Sequence, residues 1–487
     1  MEQLLINHID DDGNLQSGGR AIIVWSCIEP VLSRFRPCFS RSTAFSWFLI
    51  IVFGFIIRFD HLGASSFIRW LFLNPDCYEL MLRFFRATSW DLRNLLRLWA
   101  TMCIDLFPAI EFNGRRLMIG DTTKVSKEAR KMPGVKTLRQ ESENSGKPDF
   151  IRGHHFGFVS LVVGSLEKAL SVPLQGELHE GIEQIRHGEP LAGKPATLVT
   201  RMAHLVVEKA KQIGCPCYVA LDAYYSVGPV FQILKNAVNE QGKRWVDVIV
   251  RAKDNYVGYM YHEAPQGRID ERKKVTLFDI FDFPDLFKEA ELILYGELKT
   301  VHYCCIDLLW KPIGDFVRFV CVIDGEGRYI LMSSDLDLPA TQIITIYSYR
   351  FKIEAMFSAL KHLLGAFCYH FWTKSLPKMG RKKTLDYSGL TQAQRTRCDQ
   401  AIEATERFVN LGAIALGLLH YLALTKPTQI WQSYQGWLRT YPKDIPSERV
   451  VQSVLQAEFF SPGKVPVCRT LQLIRARRRE PPLDMAA

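Results

Sequence analysis

Between residues 42 and 106 apolar positions recur at helical spacing with arginines and aromatics interleaved, which predicts helices over 42–58, 65–72, 77–86 and 91–106. Asn74 and Pro75 separate the second from the third, and Thr88 or Ser89 is the expected cap of the fourth. The first helix holds WFLIIVFGFII at 47–57, apolar on every side. Even extended back to Ala44 it is shorter than the roughly 20 residues a bilayer requires, so it reads as a buried core helix with no membrane partner. From 115 onward the pattern changes. Strands are expected at 116–120, 154–164 and 169–178, a helix at 198–213, a strand at 217–221, a helix at 230–239 and a strand at 246–252. Four more strands follow at 292–295, 300–310, 316–323 and 329–333, with an Asp324-Gly325 turn between the last two. A basic linker (Lys374, Lys378, Arg381, Lys382, Lys383, Arg395, Arg397) leads to an apolar helix at 401–424 and a tail with Arg475, Arg477, Arg478 and Arg479, the last three expected to be solvated.

Three strands, a helix, a strand, a helix and a strand is the order of an RNase H-like sheet, so the fold class expected is α/β, with helical N-terminal and C-terminal regions. The strands of 292–333 interrupt that order as a β-rich insertion. The expected organisation is 1–110 as a helical DNA-binding domain and 111–255 as the first part of the catalytic core. It continues with 256–336 as the insertion, 337–372 as the helix that completes the core, and 373–487 as the linker and helical C-terminal region. Arg69, Arg83, Arg86, Arg93 and Arg97 make the N-terminal helices a DNA-facing candidate; the alternative is a helical cap with ordinary surface arginines.

Within 346–365, IYSYRFKIEAMFSALKHLLG, Tyr347, Arg350, Glu354 and Lys361 follow at steps of three, four and seven. On a regular helix they fall within an arc of roughly 60°. Ile346, Ile353, Phe357, Leu360 and Leu364 cluster beside them, so the polar line borders the docking face instead of lying on a solvated back. A chain of 487 residues, 48% hydrophobic, buries a large core. Its net charge of +10 and pI of about 8.9 favour a polyanionic partner, nucleic acid first. None of the twelve cysteines forms a CxxC pair: Cys215 and Cys217 flank a proline, and Cys304 and Cys305 are adjacent. Neither spacing suits structural zinc or a disulfide framework, which points to a reduced, cytoplasmic compartment. Glu2, Asp10, Asp11 and Asp12 precede any apolar run, the wrong order for a secretory signal.

Asp121, in RLMIGDTT, and Asp222, in CYVALDAYYS, each leave an apolar strand. Alone, either would be a turn or cap residue. As neighbours in an RNase H-like sheet, with Glu354 on a helix packed across its end, they form a hard oxygen site free of His and Cys, suited to Mg²⁺ or Mn²⁺. Two such ions would serve phosphodiester displacement.

The spacing Y-x-x-R-x-x-x-E-x-x-x-x-x-x-K at Tyr347, Arg350, Glu354 and Lys361 resembles the signature of a large group of bacterial insertion-sequence DDE transposases, which move DNA by cut and paste. The Asp-Thr-Thr at 121–123, the tyrosines after Asp222 and the β-rich insertion before the Glu are similar to that group, as are the intervals of 101 (222 − 121) and 132 (354 − 222). The resemblance covers about 121–365. It implies a metal-dependent transposase in which Asp121, Asp222 and Glu354 are catalytic and bind two Mg²⁺ (or Mn²⁺) ions. Tyr347, Arg350 and Lys361 would hold phosphates near the transposon end. The substrates are double-stranded terminal repeats and target DNA, bound by a homodimer in the bacterial cytoplasm. In related transposases an aromatic opening the last strand of the insertion stacks on a flipped base; RYILMSSDL makes Tyr329 that candidate, where the group commonly has Trp. Lys124, with Lys127, Arg130, Lys131 and Arg139, is expected to form a basic loop along the DNA backbone, whereas His154 and His155, which open a strand, read as structural, the alternative being a place near the site. The rival readings are an RNase H-like DNA nuclease that cuts without joining and a non-catalytic DNA-binding descendant of a transposase.

Overall fold

Strand β2 (Arg115–Ser126) is the axis of a mixed sheet, because its apolar first half, Leu117 to Ile119, is buried between layers on both faces. The computed structural model describes residues 24–479 except 128, 141–148, 187–195, 261–273, 326, 378–386, 441–443 and 462–467; Lys378 and Arg381 to Lys383 of the basic linker lie outside the described residues, as do Glu2 and Asp10 to Asp12. The short β1 (Glu111–Phe112) folds back on β2, and β3 (Lys136–Arg139) runs beside the start of β4 (Phe150–Gly164). β4 is antiparallel to both β2 and β5 (Ala169–Leu178). After helix 198–213 the chain enters β6 (Cys217–Leu221), parallel to β2, and after a second helix β7 (Val246–Arg251), parallel to β6. The spatial order β5-β4-β2-β6-β7 is thus that of three antiparallel strands extended by two parallel ones.

The strands that follow extend this sheet. They are β8 (Val257–Tyr259), β9 (Lys274–Thr276), β10 (Lys288–Leu294), β11 (Glu297–Trp310), β12 (Asp315–Asp324) and β13 (Gly327–Ser333), with β13 antiparallel to β7. Gly325 takes φ +59° in the tight turn between β12 and β13, as the Asp-Gly pair requires.

The helices sort by face. Those before the sheet are α1 (Val24–Ser33), α2 (Ser42–Ile57), α3 (Ser65–Trp70), α4 (Cys77–Arg86) and α5 (Leu92–Leu106). Those within it are α6 (Leu198–Ile213) and α7 (Gly228–Asn236), and those after it are α8 (Ala340–Ser348), α9 (Lys352–Ser358), α10 (Gln392–Thr425), α11 (Pro427–Ser433), α12 (Glu448–Phe460) and α13 (Arg469–Arg475). A Cβ on Gly120 would meet Met202 of α6, whereas the ring of Phe158, opposite Asp121, meets Phe357 beyond Glu354 on α9. α6 and α9 therefore cover opposite faces of β2.

The run at 47–57 is the centre of α2, with every residue of Ala44–Ile57 buried against α3, α10, α12 and α13. α10 is long and apolar enough to cross a membrane, yet 83% of its apolar window is covered by the rest of the protein, including α2, α4 and β5. Its start is fixed by a capping box between Thr391 and Gln394.

Four expectations need correction. Asp91, not Thr88 or Ser89, caps α5, accepting from the Asn94 amide at 2.8 Å. β2 does not stop before Asp121 but runs on to Ser126, because β4 offers partners for the polar residues as far as Gly153. Lys127 is no DNA-facing loop residue: it is buried, its ammonium 3.9 Å from the Tyr369 ring centre and donating to the Phe367 and Tyr369 carbonyls. The C-terminal arginines are not a free tail either, since Leu73 and Arg478 form a β-bridge and Arg478 lies over the rings of Phe72 and Phe459.

Candidate active site

The paired strands β2 and β6 decide where the two aspartates stand. Their partners, from Arg116 with Cys217 to Ile119 with Ala220, keep a constant offset of 101 (217 − 116), which equals the interval from Asp121 to Asp222. Continuing the register one step past Leu221 sets the two aspartates side by side on strands about 4.8 Å apart. Asp222 ends the extended run, and its carbonyl accepts from the Tyr225 amide at 2.9 Å in a single 3₁₀ turn, Ala223–Tyr225. Gly120 makes the close pairing feasible: a Cβ there would lie 2.8 Å from Leu221 Cδ2.

Glu354 arrives on a helical run that is not uniform. α8 ends at Ser348, a 3₁₀ turn covers Tyr349–Phe351, α9 carries Glu354, and a π turn covers Ala359–Leu363 with Lys361 inside it. The regular projection over 346–365 is therefore broken twice, where tertiary contacts override it. Tyr349 is buried with its hydroxyl donating to the Leu166 carbonyl at 2.7 Å, and the Leu364 amide reaches back five residues to the Ala359 carbonyl.

Asp121, Asp222, Glu354, Lys361 and Lys124 nevertheless line one cleft of about 650 Å³. Arg350 does not pair with Glu354 four residues on; its Nη1 donates to Asp121 Oδ2 at 3.1 Å. Burial pushes the Asp121 carboxyl up to about 7; the Thr122 amide and Arg350 oppose the rise, and the charges of Asp222 and Glu354 add to it. Burial works against the Arg350 charge as well, but Tyr347, Asp121, Asp222 and Glu354 together hold the guanidinium above its ordinary range. These mutual effects place three carboxylates within electrostatic reach of one another.

Tyr347 is half-buried, its phenol pushed up to about 12 by burial, with Arg350 lowering it and Asp222 raising it. Burial, with Tyr295, Asp324 and Tyr347, raises the Tyr329 phenol, so the start of β13 lies within electrostatic reach of Tyr347. Tyr329 itself is only partly exposed and pairs with Val322 in the sheet. Lys124 donates to the Arg139 carbonyl at 2.6 Å, on the cleft wall.

Lys136, His155 and Glu180 line the same cleft, and of these only His155 is a candidate from the sequence for a place near the site, as the alternative to a structural role. Lys136 and Glu180 form an ion pair at 3.2 Å, and His155 shares a short hydrogen bond with the same carboxylate. Its neighbour His154 is internal, as expected, bonded to Tyr369 and the Pro133 carbonyl. Thr122, Thr123 and Tyr225 also line the cleft.

Among the described residues, no three His, Cys, Asp or Glu side chains stand close enough to hold a metal ion as they are. Arg350 occupies one oxygen of Asp121, and carboxylates without a cation between them repel. The donor set is still that of a hard divalent ion. Three carboxylates share a cleft, and the innermost, raised chiefly by its burial, is raised further by the charges of the other two, an excess of negative charge that such an ion would neutralise.

Residues 34–262 match the family model described as DDE superfamily endonuclease, a span that contains Asp121 and Asp222 and ends before Glu354. The match supports a DDE transposase-like family. No curated protein gives a significant match to the chain.

Proposed function

We propose that this protein is a DNA transposase of the insertion-sequence type, with an RNase H-like core that cuts DNA at transposon ends and joins the freed ends to target DNA. The observation that carries the reading is the cleft that Asp121, Asp222 and Glu354 share with Lys361 and, through Asp121, with Arg350. The family match supports a DDE-type endonuclease chemistry on DNA, and the strand order β5-β4-β2-β6-β7, three antiparallel strands followed by two parallel ones, supports the RNase H-like core.

DDE superfamily enzymes generally use divalent metal ions, and Asp121, Asp222 and Glu354 are the residues that would hold them here, Mg²⁺ or Mn²⁺ and two in number. Such ions, when bound, supply Lewis-acid activation of the attacking oxygen and stabilise the leaving one. The chain's own groups do the rest. Arg350 holds the Asp121 carboxylate by one hydrogen bond, and its forked guanidinium is of the kind that would also hold a phosphate at this site. Lys361 and Lys124 line the path of the strand as ammonium donors, and Tyr347, whose phenol feels the charges of Arg350 and Asp222, is the further candidate for a phosphate contact. In the first reaction a water oxygen bonds to phosphorus while the P–O3′ bond breaks. In the second the released 3′-hydroxyl bonds to a target phosphorus while one target P–O bond breaks. Each is an in-line exchange that depends on position and charge. Tyr329, near Tyr347, is proposed as the platform for an unstacked base.

The test is incubation of purified protein with the DNA flanking its coding region, a supercoiled plasmid and Mg²⁺. Joined products support the transposase. Cuts without joining support the second reading, a nuclease of the same fold, which the word endonuclease in the family description favours.

A further inference from the structure

Arg58, the residue after α2, is 1% exposed, one of the largest wholly buried side chains in the protein, and it has no carboxylate within ion-pair distance among the described residues. Asp60, whose charge it feels, is committed to Arg69 and to the Trp70 indole. What holds the guanidinium is the end of the helical run that carries Glu354. Nη2 donates to the Leu364 carbonyl at 2.5 Å and the Gly365 carbonyl at 2.8 Å, Nε to Leu364 again at 3.2 Å, and Nη1 to Gly63 at 3.2 Å. The rings of Phe55 and Phe67 lie 4.7 Å from it and that of Phe408 5.8 Å. Next to it, His61 bonds the Leu363 carbonyl at 3.2 Å and packs so tightly on Gly365 that a Cβ there would fall 2.6 Å from its ring. A cation on the last carbonyls is where the helix dipole favours one, and a fork that spans two carbonyls fixes their spacing.

These carbonyls follow directly on the π turn. The Leu364 amide bonds the Ala359 carbonyl and the Ala366 amide the Leu360 carbonyl, so one extra residue is taken up between Glu354 and Gly365. A π turn rotates what it carries relative to the helix before it, and it carries Lys361. Both Glu354 and Lys361 reach the same cleft with that turn in place. We propose that Arg58 is a positioning residue of the active site: by gripping the Leu364 and Gly365 carbonyls it holds the π register that aims Lys361 into the cleft beside Glu354. The N-terminal helices thereby set the catalytic geometry from 306 residues away in sequence. The assignment rests on the transposase reading only for what Lys361 does with DNA; the grip on the register stands by itself.

Two measurements test it, with Arg58→Lys retaining the charge but losing the fork. Amide hydrogen exchange of the full-length variant is the first. Leu364 and Ala366 should exchange at least about tenfold faster than in wild type while the amides of β2 and β6 keep their protection. Unchanged protection at 364 and 366 overturns the proposal, and so does a uniform rise across the sheet, which would mark Arg58 as a general stabiliser. The second is a double-mutant cycle on DNA cleavage. Arg58→Lys should slow cleavage about tenfold in the wild-type background and less than about twofold in Lys361→Ala, because its effect passes through Lys361. An equal loss in both backgrounds overturns the link to Lys361. If wild type cuts no DNA, the functional reading fails and the exchange measurement alone decides on Arg58.

Discussion

Acidification should destabilise the protein through His154, by an amount its surroundings allow to be worked out. The imidazole is fully enclosed, with Nδ1 2.6 Å from the Tyr369 hydroxyl and Nε2 2.9 Å from the Pro133 carbonyl. Nε2–H donates to the carbonyl and Nδ1 accepts from the phenol, so the neutral ring satisfies both contacts and a second proton has no acceptor. Burial, only partly offset by the Pro133 bond and reinforced by the Lys127 charge, pushes the group from 6.5 down to about 3. A folded pKa below the unfolded one gives stability that is fully present above pH 6.5 and drains away as pH falls towards 3. At about 1.4 kcal/mol per pH unit the loss is about 2 kcal/mol at pH 5 and approaches about 5 kcal/mol near pH 3. His154→Gln keeps both contacts, Oε1 accepting from Tyr369 and the amide donating to Pro133, and does not titrate. Urea unfolding of both proteins at pH 7 and pH 5 isolates the term, since other groups cancel in the difference. Wild type should lose about 2 kcal/mol more than the variant between the two. Equal losses would mean that the folded imidazole takes up its proton, and the enclosure described here would be wrong.

Three other perturbations follow from the same contacts. Asp247, 2% exposed, accepts from Arg115, from Arg244 at 2.9 Å and from the Ser334 hydroxyl at 2.7 Å. Asp247→Ala should cost about 3 kcal/mol in urea unfolding, the low end for a broken buried pair, because both arginines can turn to solvent. Lys361→Ala should lower the slope of log binding constant against log salt by about one on duplex DNA, measured by anisotropy, without changing sequence preference. Phe48→Ala, at the fully buried centre of α2, should cost about 3 to 5 kcal/mol in the same unfolding assay, whereas a membrane-embedded α2 would show no such loss in water.

The elements legible in the sequence are those whose limits are set locally. Residues 169–178, 198–213 and 217–221 read directly, because Thr197 caps the helix, Gly214 ends it in the left-handed region at φ +80°, and Pro216 precedes an unbroken apolar strand. Strand β2 was legible only to Gly120. The polar residues from Asp121 to Ser126 look like a loop until β4 supplies their partners, a pairing set by residues about thirty positions away. The line of Tyr347, Arg350, Glu354 and Lys361 was visible as spacing, but its two changes of register come from Leu166 and Arg58, which no local pattern encodes. The same holds for the candidate site. Asp121, Asp222 and Glu354 could be named from strand ends and a helix motif. Lys136 and Glu180 could not, because they meet His155 only through the sheet. Lys127 shows the opposite failure, where charge suggested solvent and the fold provided an aromatic face and two carbonyls.

The central claim is that three acidic side chains, far apart in the chain, act as one site. It is tested most directly by measuring cleavage of flanking duplex DNA in Mg²⁺ by wild type and by Asp121→Asn, Asp222→Asn and Glu354→Gln, each first shown to unfold at the wild-type urea midpoint. The account predicts that wild type cuts and that every one of the three variants is slower by at least about a thousandfold. A folded variant that cuts at the wild-type rate would contradict it.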